Sequence, residues 1–165
     1  MTLVDVGHAG RYFKGLGEPS GGTTSWTQIG FNDDPATTDW IDGDSGYGFS
    51  NESDELQWIR TELADMLGYY ISVYVRLPFY LTAAQLASFT QLSAEVHYDD
   101  GYVLYLNGQK VAGPENVTGN PPAHGQPANS GSDYAAKNLD LTGFLHLLVP
   151  GENVLAIQVH NFTAG

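Results

Sequence analysis

Residues 98–108 read YDDGYVLYLNG: two adjacent carboxylates, a glycine, an alternating aliphatic and aromatic run, and an Asn-Gly pair. The run from Tyr102 to Leu106 has the composition of a strand, and Asn107-Gly108 is a strong hairpin signal because both central turn positions need positive φ. QKVAG, residues 109–113, is then the returning strand. LSAEVHY, residues 92–98, is a strand on the other side of Asp99-Asp100-Gly101. Three strands in succession with turn residues between them set the class as all-β.

The rest of the chain agrees. In YYISVYVR, residues 69–76, Tyr69, Ile71, Val73 and Val75 alternate with Tyr70, Ser72, Tyr74 and Arg76, which predicts a half-buried strand. NVLAIQVH, residues 153–160, follows the turn VPGEN and puts Leu155, Ile157 and Val159 on one face. Helix is scarce: TAAQLASF predicts two turns capped by Thr82, and TGFLHLL one more. The expected fold is a single domain over residues 1–165, an antiparallel β-sandwich jelly roll with long loops and one or two short helices. The long loops are residues 32–68 and 113–133, and connections of that length are often functional.

Six Lys and Arg against 19 Asp and Glu give a formal net charge of -13, which repels nucleic acid and anionic membranes and favours cations or neutral polar ligands. Without cysteine there is no disulfide framework and no thiolate zinc site. This fits a bacterial secreted or cell-surface module stiffened by packing or by calcium. No apolar run approaches the roughly 20 residues that span a bilayer, and MTLVDVGHAG lacks the charged and apolar regions of a signal peptide, as expected of a domain cut from a larger protein. Asn-x-Ser/Thr triplets at Asn51, Asn116 and Asn161 matter only in a eukaryotic secretory route.

In an antiparallel sandwich each strand reverses direction, so the loops at each end can be counted. With Asp99-Asp100-Gly101 at the top, strand 102–106 descends, strand 109–113 returns, and the long loop from Pro114 starts beside the aspartates. Strand 69–76 starts at the top, so loop 42–68 ends there. A descending strand near residues 138–141 and a low turn at Pro150-Gly151 then deliver His160 and Asn161 to the same rim. Four segments are expected to converge there.

In this order, RYFKGLGEPS, Trp26, FNDDPATTDW, GYG, TELADM, YYISVYVRLPF, YDDGYVLYLNGQKVA and PGENVLAIQVHN run through most of the chain. The set resembles the galactose-binding-like jelly-roll domains appended to secreted bacterial proteins, glycoside hydrolases among them. The resemblance implies a β-sandwich, frequent calcium and often carbohydrate binding, and does not imply catalysis. The chain departs from that pattern at Gly113-Pro114, where relatives carry an arginine, and at HNFTAG, where they continue into a further strand.

Asp99 and Asp100 read either as hard oxygen ligands for calcium or sugar hydroxyls, or as turn residues capping nearby N–H groups. Asp39, Asp42 and Asp44 lack the spacing of an EF-hand, and Asp33 and Asp34 are expected to cap the turn before Trp40. A sugar ring stacks its C–H face on an aromatic side chain. Trp58, in the polar NESDELQWIRTE, is the best stacking candidate, with Tyr134 and Tyr69 behind it, whereas Trp26 and Trp40 are expected in the core. Arg60, Asn116, His124, His160 and Asn161 can supply hydrogen bonds at the rim, although a structural bond is the simpler role for each. No Gly-x-Ser-x-Gly elbow, His-Glu-x-x-His helix or phosphate loop is present, so no catalytic residue is expected.

The expected function is a non-catalytic carbohydrate-binding module, a monomer that targets a parent enzyme or surface protein to a polysaccharide or oligosaccharide. Structural calcium at Asp99 and Asp100 would fix the loops. Its partners would be the sugar and neighbouring catalytic or surface domains, not nucleic acid or membrane. The alternative is a structural spacer or protein-interaction module that holds calcium and no sugar.

Overall fold

The structure, a computed structural model, describes residues 1–131 and 134–164 with every side chain except that of Asp54. The end of the 113–133 loop lies outside the described residues. Ten strands follow in order: β1 (Ala9–Lys14), β2 (Ile41–Asp44), β3 (Tyr47–Gly48), β4 (Thr61–Glu62), β5 (Ser72–Leu81), β6 (Ser93–Tyr98), β7 (Gly101–Leu106), β8 (Gln109–Glu115), β9 (Ala135–Asp140) and β10 (Gly151–His160). Six form an antiparallel sheet in the order β2-β1-β5-β10-β7-β8, β6 pairs antiparallel with β9, and β3 pairs with β4 in parallel. This is an all-β antiparallel sandwich. Its helices are short: Ser53–Leu56, and Ala83–Ser88 with Thr82 as N-cap in a reciprocal pair with Gln85. The TGFLHLL segment is a 3₁₀ helix, Thr142–Leu147.

Between the layers, Tyr102, Leu104 and Leu106 of β7 and Phe79 and Leu81 of β5 meet Val96 of β6, with Leu139 of β9 packed alongside. The other face of the large sheet is covered too. Trp26 and Trp40, 1% and 3% exposed, lie over Tyr74, Val103, Tyr105 and Ala156, and the Trp26 ring centroid is 5.1 Å from Tyr74 and 5.7 Å from Tyr105. Both tryptophans are core residues, as expected.

This double coverage corrects the half-buried reading of YYISVYVR. β5 is longer than that stretch and is buried on both sides from Ser72 to Leu77, because it lies between β1 and β10 under a second cover of loops. Pro78 is tolerated in it because the β1 register runs only from Arg76 to Val73, leaving no β1 partner at that position. Likewise on β10, the face opposite Leu155, Ile157 and Val159 carries Val154, Ala156, Gln158 and His160, all fully buried.

Polar residues on that buried face are matched one by one. Arg76, 3% exposed, donates to Asp33 at 2.6 Å, to the Gln28 carbonyl at 3.0 Å and to the Trp26 carbonyl. Asp33 also pairs with Arg11 at 2.5 Å, so it anchors its loop instead of capping a turn; Asp34 supplies the cap, to Ala36. Breaking the buried Arg76–Asp33 pair costs about 3–5 kcal/mol, against about 0–1 for the exposed Lys14–Asp65 pair. The Tyr74 hydroxyl donates to Glu18 at 3.0 Å, and Glu18 accepts from the backbone and ring nitrogens of His124 at 2.7 and 2.9 Å. Gln158 donates to the Pro122 carbonyl at 2.8 Å. His160 Nδ1 lies 2.7 Å from the Gln126 carbonyl, which can only accept, so Nδ1 carries the proton of the neutral ring.

At the lower end, Asn107 and Gly108 have φ of 49° and 91°, the two positive values the hairpin requires. Asn107 also donates to Asn153 at 2.8 Å and accepts from the Val154 amide at 2.8 Å, tying the hairpin to the base of β10.

Gly108→Ala is expected to cost about 1–2 kcal/mol, since a side chain is disfavoured at positive φ and its Cβ would meet Gln28 at 2.9 Å; urea denaturation measures it. Acid sensitivity follows from two groups, the buried His160 and the partly buried Glu18. Burial holds His160 below the ordinary imidazole value, so below about pH 6.5 the unfolded chain takes up a proton that the folded chain refuses, and stability falls. Burial raises the Glu18 carboxyl, but the hydrogen bonds from His124 and Tyr74 outweigh it and leave its pKa lowered. Its stabilisation is present above the ordinary glutamate range and disappears as pH falls through the lowered value. Denaturation at stepped pH is expected to show a plateau above about pH 7, then a decline in two stages.

Candidate functional site

The register places the expected loops at one end. β10 is antiparallel to both β5 and β7, with His160 opposite Ser72 and Gly101, so the end of β10 and the starts of β5 and β7 share the rim. Asp99 is exposed there and Asp100 is 9% exposed. The Asp100 amide donates to the His160 carbonyl at 3.2 Å, its carbonyl accepts from Asn116 at 3.1 Å, and its carboxylate accepts the Phe162 amide at 2.6 Å. Asn116 also donates to the Ser130 carbonyl at 2.8 Å. The Asn161 amide donates to the Ile71 carbonyl at 2.7 Å, and the Asn161 carbonyl accepts from Ala128 at 3.0 Å.

Asp100, Asn116, His160 and Asn161 are thus brought together as expected, with these polar groups engaged in closing the rim. His160 is fully buried. Asp42 and Asp44 lie in β2, Asp42 pairing with Arg11 at 3.1 Å. Arg60 donates to the carbonyls of Gln57 and Ile59 in its own turn. Among the described residues no group of three His, Asp or Glu side chains gathers as a metal-ligand set.

The aromatic candidates stand differently. Tyr69 is 80% exposed on the rim. Trp58 and Tyr134, both partly exposed, flank the same residue, His97 on β6. The Trp58 and His97 ring centroids are 4.5 Å apart with planes at 34°, and those of His97 and Tyr134 are 5.5 Å apart at 38°. Glu95 lies 3.1 Å from His97 Nε2. On the other side of the ring, Nδ1 is hydrogen-bonded to the Tyr134 hydroxyl. That bond and the flanking rings hold the imidazole in a column of three rings beside the Asp99 turn.

His97 and Glu95 carry no sequence signal of their own. Their role becomes visible only when the β6–β9 register brings His97 opposite Ala136, two residues from Tyr134. The alternation of LSAEVHY, with Val96 in the core, was the available clue that His97 faces outward.

No protein-family model matches the chain, and no curated protein matches it. Among solved structures, the fold is similar to part of a Bifidobacterium dentium β-glucuronidase complexed with coumarin-3-O-glucuronide. The TM-score is 0.51 at 15% identity, over 96% of this chain and 20% of that one. It is also similar to part of a Ruminococcus gnavus β-glucuronidase in complex with D-glucuronic acid, with a TM-score of 0.51 at 11% identity, over 97% of this chain and 22% of that one. The chain spans about a fifth of the length of these structures. The likeness is one of fold: a β-sandwich that also occurs as one part of larger sugar-processing enzymes.

Asp100→Ala is expected to lower stability by about 1–3 kcal/mol by leaving the Phe162 amide without its acceptor, whereas Asp100→Asn, which keeps an acceptor oxygen, loses less. Urea denaturation of both variants separates the two costs.

Proposed function

We propose that the chain is a non-catalytic carbohydrate-binding module of a secreted or cell-surface bacterial protein. The observation that carries this reading is the Trp58–His97–Tyr134 column. It is a partly exposed aromatic surface held by the His97–Tyr134 hydrogen bond and flanked by a carboxylate. Sugar recognition needs these two things together, a ring for the C–H face and polar atoms for the hydroxyls. Function would be targeting: weak binding tethers neighbouring domains and raises their effective concentration at a polysaccharide. The fold likeness to parts of glycoside hydrolase chains supports this reading without naming the sugar.

Calcium is a separate part of the proposal, at Asp99 and Asp100. The ion takes six to eight oxygens, and one oxygen of Asp100 already accepts from Phe162, so backbone carbonyls would have to complete the set. A melting temperature that rises with calcium, falls with EDTA and loses both responses in Asp99→Ala would place the ion there.

The rim favours a second reading. Leu67, Tyr69 and Phe162 are 54%, 80% and 45% exposed at the end where Asp100 and Asn161 are tied into the fold, which suits a surface for protein contact. That reading expects a partner to be lost on Tyr69→Ala, with no saccharide effect.

Trp58→Ala is expected to weaken sugar binding by about 2 kcal/mol, roughly 30-fold, with little change in stability, as removal of a central aromatic anchor does. Affinity electrophoresis across a polysaccharide panel, with melting curves on the same samples, reads both. A folded wild type that binds nothing on the panel removes the carbohydrate reading.

A further inference from the structure

The aromatic column stands at one end of a larger surface. Val96 of β6 lies in the core with Ala94 and Tyr98 packed beside it, so Ser93, Glu95 and His97 point outward. On β9, Leu139 packs on the same core, and the exposed Ala136, Asn138 and Asp140 are the register partners of His97, Glu95 and Ser93. The outer face therefore reads, from the rim downward, His97 with Ala136, Glu95 with Asn138, and Ser93 with Asp140. From His97 to Ser93 this covers about 13 Å of strand, enough for a short oligosaccharide. The alanine leaves the flank of the His97 ring without a large cross-strand neighbour.

Charge decides which sugars fit. Glu95 and Asp140 are acidic, and none of these six positions is Lys or Arg. The cation on β9, Lys137, is held by Glu115 of β8 at 2.5 Å. A uronate or sulfate laid along the face would meet two carboxylates, no cation and the field of a chain with net charge -13. Hydroxyl or ammonium groups would donate to the same carboxylates and to the Asn138 carbonyl oxygen.

We propose that the outer face of β6–β9 is a track for an oligosaccharide without negative charge, uncharged or amino-substituted, which stacks on the Trp58–His97–Tyr134 column and runs across Glu95 and Asn138. The inference rests on the carbohydrate-binding reading above and gives it a ligand class and a direction.

The test is an array of neutral, amino, uronic and sulfated oligosaccharides probed with wild type and Trp58→Ala, followed by titration of the best-bound sugar into Asn138→Ala and Glu95→Ala. Binding is expected only among neutral and amino sugars, to weaken about 30-fold in Trp58→Ala, and to weaken about fivefold in Asn138→Ala, the loss of one hydrogen-bond partner on an exposed strand. Trp58-dependent binding of uronic or sulfated sugars comparable with the neutral ones overturns this inference and leaves the carbohydrate reading standing. So does a best-bound sugar whose affinity neither substitution changes. A folded protein that binds no sugar of any class overturns both.

Discussion

Everything else in the structure depends on where β10 sits. It is late in the chain, yet it pairs along its whole length with β5 and again with β7, so the centre of the large sheet is made from segments far apart in sequence. A central strand cannot leave its backbone groups unpaired, and its register fixes both neighbours at once. The Asn107–Asn153 contact, together with the Val154 amide on Asn107, sets that register from below, because it locks the β7–β8 hairpin to the start of β10. At the upper end the His160 carbonyl accepts from the Asp100 amide, and the Asn161 amide donates to the Ile71 carbonyl. The adjacent aspartates sit where the strand that closes the sheet must also end.

Centrality has a second consequence. One face of β5 and β10 packs on β6–β9; the other carries Tyr74, Arg76, Gln158 and His160, side chains that are costly to bury without partners. The loops supply them: Asp33 and the Trp26 and Gln28 carbonyls for Arg76, Glu18 for Tyr74, the Pro122 carbonyl for Gln158 and the Gln126 carbonyl for His160. Segment 16–40 and the loop after β8 are thereby a cover for the sheet. Their length comes from having to cross it while presenting polar atoms at fixed points, which is a structural reason for connections that composition alone marks as functional.

Legibility in the sequence followed the range of the interaction. The Asn107-Gly108 hairpin, the Thr82 cap, the burial of Trp26 and Trp40 and the gathering of four segments at one rim were all readable, because local chemistry or strand parity decides them. The half-buried reading of YYISVYVR failed because Arg76 and Tyr74 look solvent-facing until Asp33 and Glu18 arrive from distant loops. Asp33 was read as a turn cap for the same reason. Trp58 and Tyr134 were readable as exposed aromatics, but not as two sides of one column, since their common neighbour His97 depends on the β6–β9 pairing. The carboxylate of Asp100 looked like a ligand, and its engagement with Phe162 spans 62 residues.

The contrast between the two outer surfaces of the sandwich bears directly on function. The outer face of the large sheet is roofed by loops and rich in groups satisfied internally, so little of it faces solvent. Among the described residues none roofs the β6–β9 pair in this way: Glu95, Ala136, Asn138 and Asp140 are exposed. Aromatic side chains on a roofed face would be core, as Trp26 and Trp40 are. On an unroofed face the same residue type must be held by something other than burial, and the His97–Tyr134 hydrogen bond, with Glu95 beside the ring and Trp58 stacked on it, does this. A chain with so few cations that keeps carboxylates beside an unroofed aromatic column is electrostatically suited to ligands that donate hydrogen bonds and carry no negative charge.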